Sequence, residues 1–144
     1  MMDTHLYEVR VVNESGQKGY TTSSSGFEVL ISSPRSNEPG SNAGELLSMS
    51  YATCLNAAII TVLNAHRLNN KSRVTVIYRL MGEPEKKKGY YFLLICEVAI
   101  QNLNVSLVKK YLEMAESLCP VSKIMHQYPH LHTTVVEYEK EATF

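Results

Sequence analysis

The chain has 144 residues, 44% of them hydrophobic, and its 14 basic and 14 acidic side chains cancel. That length fits one domain, 1–144, with enough apolar material for an ordinary core. The absence of net charge excludes the long-range field by which a protein gathers nucleic acid or settles on an anionic membrane, so neither is expected as a partner.

The opening MMDTHLYEVRVV lacks the basic start and continuous apolar run of a signal peptide, which predicts a cytoplasmic protein. Within it THLYEVRVV alternates, Leu6, Glu8 and Arg10 against Tyr7, Val9 and Val11, and ends in the turn-rich NESGQKG, the pattern of a first strand and a hairpin. A second strand is predicted around Gly19 to Thr22 and a third in GFEVLIS, residues 26 to 32, making an N-terminal meander. The Ser-, Pro-, Gly- and Asn-rich SPRSNEPGSNAG is a loop, and Ser41 or Asn42 is expected to cap the helix that follows.

That helix, GELLSMSYATCLNAAIITVLNAHRL, is the longest element. Leu46 to Ala65 has about the length of a membrane span, but Ser48, Ser50, Thr53, Asn56, Thr61 and Asn64 interrupt it, so a buried helix of a soluble fold is expected. Helical steps from Cys54 meet Leu47, Ser50, Tyr51, Ala57, Ala58 and Thr61, a mostly small face suited to close helix packing or to a pocket beside the thiol. RVTVIYRL and YYFLLICEVAIQ then read as the two strands of the main hairpin, with the charged EPEKKK as its solvated tip. Cys96, in phase with Phe92, Leu94, Val98 and Ile100, reads as a core residue.

From Val105 to Leu118 the apolar residues recur at helical spacing, and the run leads directly into Cys119 and Pro120. Proline is tolerated in the first turn of a helix, so VSKIMHQY is predicted as a short helix with Cys119 as its cap, and LHTTVVEY as the last strand. The resulting βββ-α-ββ-α-α-β order is an α+β fold. Its central helix is too apolar for one sheet layer in so short a chain, and a second subunit is expected to cover it.

The candidate chemistry lies in the cysteines. Cys54, Cys96 and Cys119 are 42 and 23 residues apart, without a C-x-x-C pair, so a zinc site is not indicated and, in a reducing compartment, a permanent disulfide is not expected. Each thiol is then core filler, a catalytic group or a redox sensor. As a cap, Cys119 would have its pKa lowered by the helix and by Lys123, whereas Cys54, inside an apolar helix, would be raised by desolvation and needs help from elsewhere. His130 and His132 lack a second ligand cluster, so no metal or other bound cofactor is expected.

Two segments together carry a family resemblance. NAGELLSMSYATCLNAAI, residues 42 to 59, resembles a segment of the form N-P-E-x-L followed by small residues and A-x-C, and AESLCPVSKIM, residues 115 to 125, resembles a second signature, C-P-x-S. The pair is similar to the OsmC/Ohr family, osmotically inducible protein C and the organic hydroperoxide resistance proteins. The resemblance implies an intertwined homodimer with antiparallel sheets wrapped around long central helices. It also implies a peroxidase (oxidoreductase) in which Cys54 attacks an organic hydroperoxide and Cys119 resolves the sulfenic acid as a disulfide. An external dithiol, for instance of lipoyl type, would restore the pair.

Two positions depart from the family pattern. Gln17 stands where an arginine is expected, and Ala43 and Gly44 stand where Pro and Glu are expected, with Glu45 one position late. Lys18, Arg35, Glu38 and Glu45 are the candidates to activate Cys54 or orient the substrate in their stead, Arg35 first because its loop leads into the Cys54 helix. The alternative expectation is an OsmC-like ligand-binding or redox-sensing protein with weak or no peroxidase activity.

Overall fold

The computed structural model describes residues 4–85 and 89–139. The elements run β1 (Val11–Asn13), β2 (Gly19–Ser23), β3 (Glu28–Ile31), α1 (Ala43–Ala65), β4 (Ser72–Gly82), β5 (Tyr90–Ile100), α2 (Val105–Leu118), α3 (Pro120–Met125) and β6 (Leu131–Val135). They divide into two compact units, the first ending at Leu46 and the second beginning at Leu47.

In the first unit β1, β2 and β3 form the predicted antiparallel meander, with Val12 opposite Thr22 and Thr21 opposite Val29. The β1–β2 turn closes on the Asn13 side chain, which accepts from Gly16 N at 2.8 Å and donates to Gly16 O at 3.0 Å. β1 is shorter than the alternating stretch suggests, and residues 4–10 lie outside the strand. Alternation reports which side chains share a face; it does not supply the neighbouring strand that a ladder requires.

The loop after β3 returns to that strand. Ser41 N donates to Leu30 O at 2.8 Å, Ser32 N to Ser41 O at 2.9 Å, and Ser32 Oγ to Glu38 O at 3.1 Å. Gly40 permits this approach: its φ is +137°, and a Cβ there would lie 3.0 Å from both Leu30 O and Ser32 N. Helix α1 then starts at the expected cap. Glu45 N donates to Asn42 Oδ1 at 2.9 Å, and Ser41 Oγ donates to the Glu45 carboxylate at 2.8 Å.

The second unit holds the core. One face of α1, with Tyr51, Leu55, Ile59, Val62 and Leu63, is buried, together with Leu94, Cys96, Val98 and Ile100 of β5 and Val108, Tyr111, Leu112 and Ala115 of α2. These positions follow the 3.6- and 2-residue periods that make a helix face and a sheet face. Within the second unit the opposite side of α1 lies open among the described residues: Met49 and Ile60 are 57% and 45% exposed, and Thr53, Ala57 and Thr61 are exposed as well. The helix is long and apolar enough to cross a membrane by length and composition, but its buried face is occupied by this core.

β4 and β5 pair antiparallel along eleven residues, from Ser72 opposite Ile100 to Gly82 opposite Tyr90. Of the charged tip, Lys86 to Lys88 lie outside the described residues. β6 joins the other edge of β5 in parallel, Leu94 beside Leu131 and Val98 beside Val135, an exception to the antiparallel pattern. The reason is the connection: α2 and α3 cross between β5 and β6, and a helical crossover returns the chain in the same direction.

The Gly40 approach predicts a measurable asymmetry between glycines. Gly40→Ala should cost about 1–3 kcal/mol, seen as a lowered Tm. Gly82→Ala, at an ordinary φ with open space around the added methyl, should stay within about 0.5 kcal/mol of the parent.

Candidate functional site

The chain between α2 and α3 is a single residue. Cys119 ends α2, its N–H donating to Ala115 O at 2.9 Å, and it caps α3 with φ −79° and ψ 115°, as Pro120 in the first turn requires. Its side chain does the capping: Ser122 N donates to Cys119 Sγ at 3.4 Å. This corner packs against α1, and Cys119 Sγ lies 3.1 Å from Cys54 Sγ.

All three thiols are free. Cys119 is fully buried and Cys54 is partly exposed, so a small molecule reaches Cys54 first. A disulfide needs its sulfurs about 2 Å apart, so bond formation requires a movement of about 1 Å.

The Cys119 thiol donates to Cys54 Sγ across the 3.1 Å contact, and the surroundings act differently on the two sulfurs. Burial pushes the Cys119 thiol up, but the Ser122 hydroxyl, the Ser122 N–H, the Cys54 thiol and the Val121 N–H outweigh it, and the net direction is down. Burial also pushes Cys54 up; the Val121 N–H draws it down, and the Cys119 contact raises it further. The two thiols are thus shifted in opposite directions, Cys54 up and Cys119 down. Lys123, the cation expected to assist Cys119, is exposed, and the lowering comes from hydrogen-bond donors instead.

Ser122 is a component whose role is not apparent from the sequence. It is 3% exposed, and its Oγ has no conventional hydrogen bond; the group it acts on is the Cys119 sulfur, a soft acceptor. The spacing held the signal, because a cap side chain accepts from the residue two or three positions on, which is Ser122.

Cys96 sits in the core as expected, fully buried on β5. Thr133 donates to the Tyr51 hydroxyl, which in turn donates to the Cys96 sulfur. Burial holds the Tyr51 phenol above its usual range and pushes Cys96 up to about 12.

The other candidates lie in the first unit. Lys18 and Glu38, with Gln17, Gly19, Leu30 and Ser32, line a cavity of about 450 Å³ there. Arg35 lies in the adjoining loop, its N–H donating to Ser33 Oγ at 3.2 Å. The Glu45 carboxylate is engaged by Ser41 at the start of α1. His130 packs against the rings of Tyr91 and Tyr128, and among the described residues no three metal-ligating side chains gather.

A two-motif cysteine pair in this α+β frame is matched by a family model: that of the OsmC-like proteins aligns with residues 35–134, well over half of the chain. The chain belongs to the OsmC-like family. An organic hydroperoxide resistance protein-like 1 of Staphylococcus saprophyticus is 29% identical over 121 residues, 81% of this chain and 86% of that one. A Mycoplasma genitalium organic hydroperoxide resistance protein-like chain is 22% identical over 134 residues, covering 90% and 94%. Among solved structures, a Lactobacillus casei protein superposes with a TM-score of 0.87 at 27% identity over 96% of both chains. The organic hydroperoxide resistance protein OhrB of Bacillus subtilis superposes on this OsmC-like chain with 0.78 at 21% identity, covering 92% and 99%.

The Cys96 environment carries a pH prediction. The unfolded chain ionises this thiol from its ordinary value of 9.0, while the folded chain holds the proton up to about 12. The contribution to stability is complete below 9 and is lost as pH rises through that interval. The Tm should fall between these two pH values, and Cys96→Ala, although less stable at neutral pH, should lose less over the same interval, as scanning calorimetry against pH would show.

Proposed function

We propose that this OsmC-like protein is a thiol-dependent peroxidase that reduces organic hydroperoxides. The observation that carries the reading is the 3.1 Å contact between a partly exposed Cys54 and a buried Cys119. Cys54 thiolate attacks the distal peroxide oxygen, the O–O bond breaks, and the alcohol leaves with a proton; Cys54 is then a sulfenic acid. Cys119 attacks that sulfur, water departs, and the pair becomes a disulfide, which an external dithiol of lipoyl or similar type reduces back to two thiols. Apolar substrates are favoured by the Leu, Met, Tyr and Ala side chains that α1 carries around Cys54. The relatives named for organic hydroperoxide resistance support the substrate class.

The working form is a cytoplasmic homodimer. The uncovered face of α1, with Met49 and Ile60, and the exposed Tyr7, Val11, Tyr20 and Phe27 of the first unit are the apolar surfaces that a second copy would bury. A second reading, a ligand-binding or thiol-sensing protein, is favoured by Gln17 and Gly44 at the positions of the family's arginine and glutamate.

Treatment of the reduced protein with one equivalent of cumene hydroperoxide separates the two. The peroxidase reading expects a loss of two hydrogens per chain in intact mass, a Cys54–Cys119 peptide on mapping, saturable turnover with a dithiol, and no reaction in Cys54→Ser. Slow, non-saturating oxidation, or oxidation unaffected by Cys54→Ser, would support the second reading instead.

A further inference from the structure

A disulfide that closes the peroxidase cycle has to be opened again, and its two sulfurs are not equal targets. A thiolate opens a disulfide by attacking one sulfur and expelling the other, so access selects the sulfur attacked, and the groups around the second govern how readily it leaves. Cys119 is fully buried and belongs to the second unit's own core, with Tyr51, Leu55 and Ala115. Cys54 only borders that core and is partly exposed. Attack at Cys119 requires the reductant to enter the core; attack at Cys54 does not.

Expelling Cys119 puts negative charge on a buried sulfur, which is costly unless donors meet it. One donor is in place, the Ser122 N–H, 3.4 Å from Cys119 Sγ. A second is the Ser122 hydroxyl, which faces the same sulfur. Ser122 is 3% exposed, and among the described residues its hydroxyl is the buried side-chain oxygen or nitrogen left without a conventional partner. A hydroxyl buried in that state is itself costly, and a thiolate beside it offsets the cost, because hydrogen bonds to a charged acceptor are roughly twice as strong as neutral ones. In the reduced pair the Cys119 thiol donates to Cys54 Sγ at 3.1 Å, so the expelled sulfur, once protonated, returns to that contact.

We propose that the external dithiol attacks Cys54 and that Cys119 is the leaving group, with the buried Ser122 hydroxyl as the donor that receives the charge on its sulfur. The inference rests on the peroxidase reading. One thiolate of the dithiol bonds to Cys54 Sγ, the Cys54–Cys119 bond breaks, and its electron pair stays on Cys119, which takes a proton from solvent. The second thiolate of the dithiol then attacks the reductant's own sulfur in the mixed disulfide. Cys54 is released and protonated, and the reductant leaves as a cyclic disulfide. The two protons lost by the dithiol match the two gained by the pair, and two electrons pass with them.

For the test, the Cys54–Cys119 disulfide is made with diamide, without a peroxide, and its reduction by dithiothreitol is followed by acid quench and mass. Ser122→Ala should be about three-fold slower than the parent. In Cys119→Ala, with Cys54 first converted to a thiopyridyl mixed disulfide, the departing sulfur is no longer Cys119, and adding Ser122→Ala should leave the dithiothreitol rate unchanged. Dithiodipyridine should label Cys54 in Cys119→Ala about ten-fold faster than it labels Cys119 in Cys54→Ser. Failure of the disulfide to form, comparable labelling of the two thiols, an unslowed Ser122→Ala, or equal slowing in both backgrounds would overturn the proposal. If circular dichroism shows a cysteine variant unfolded, the parent disulfide is treated with excess glutathione and quenched in acid. Glutathione found on Cys54 then supports the proposal, and glutathione on Cys119 counts against it. If cumene hydroperoxide leaves the thiols intact while the diamide disulfide behaves as expected, the peroxidase reading falls and the assignment of the leaving sulfur stands.

Discussion

The candidate site depends on one contact, the 3.1 Å approach of the Cys54 and Cys119 sulfurs. Two thiols 65 residues apart meet because the apolar face of α1 and the end of α2 are drawn into the same core beside β5. The corner at Cys119 makes the meeting specific. Proline cannot continue α2, so the chain must restart as α3, and the residue at the restart turns its side chain toward the first N–H groups of the new helix. A sulfur in that position is presented, buried and hydrogen-bonded at once.

The same corner divides the labour of the pair. Cys54 keeps access to solvent but is surrounded by apolar side chains that favour its protonated form. Cys119 has no access, but donors from Ser122 and Val121 favour its charged form. Access and the lowered pKa are thus placed on different sulfurs 3.1 Å apart. Cys96 shows the contrast: equally buried, it receives one hydrogen bond from Tyr51 and remains a core thiol.

Much of this was legible in the chain, and the residues show why. The bounds of α2, Val105 to Leu118, follow from local periodicity, and Asn104 caps it by accepting from Leu107 N at 2.9 Å. Pro120 as first helical residue and Cys119 as cap are equally local, since both follow from proline's fixed φ and missing N–H. The alternation at Tyr7 and Val9 suggests a longer first strand than the one that forms, because it describes a surface without its neighbour. The parallel placement of β6 depends on where a two-helix crossover lands, which the residues of LHTTV do not encode.

By itself, then, the sequence determined the elements, the family pattern, and the two cysteines with their helix corner, because these rest on spacing within a few residues. Only the tertiary structure decided that the sulfurs touch, that Ser122 is buried without a conventional partner, and that the acidic thiol of the pair is Cys119. The lowering at Cys119 comes from donors on two helices, Ser122 and Val121 of α3 and Cys54 of α1, which outweigh its burial. Those are properties of packing, and no stretch of the chain contains them before it folds.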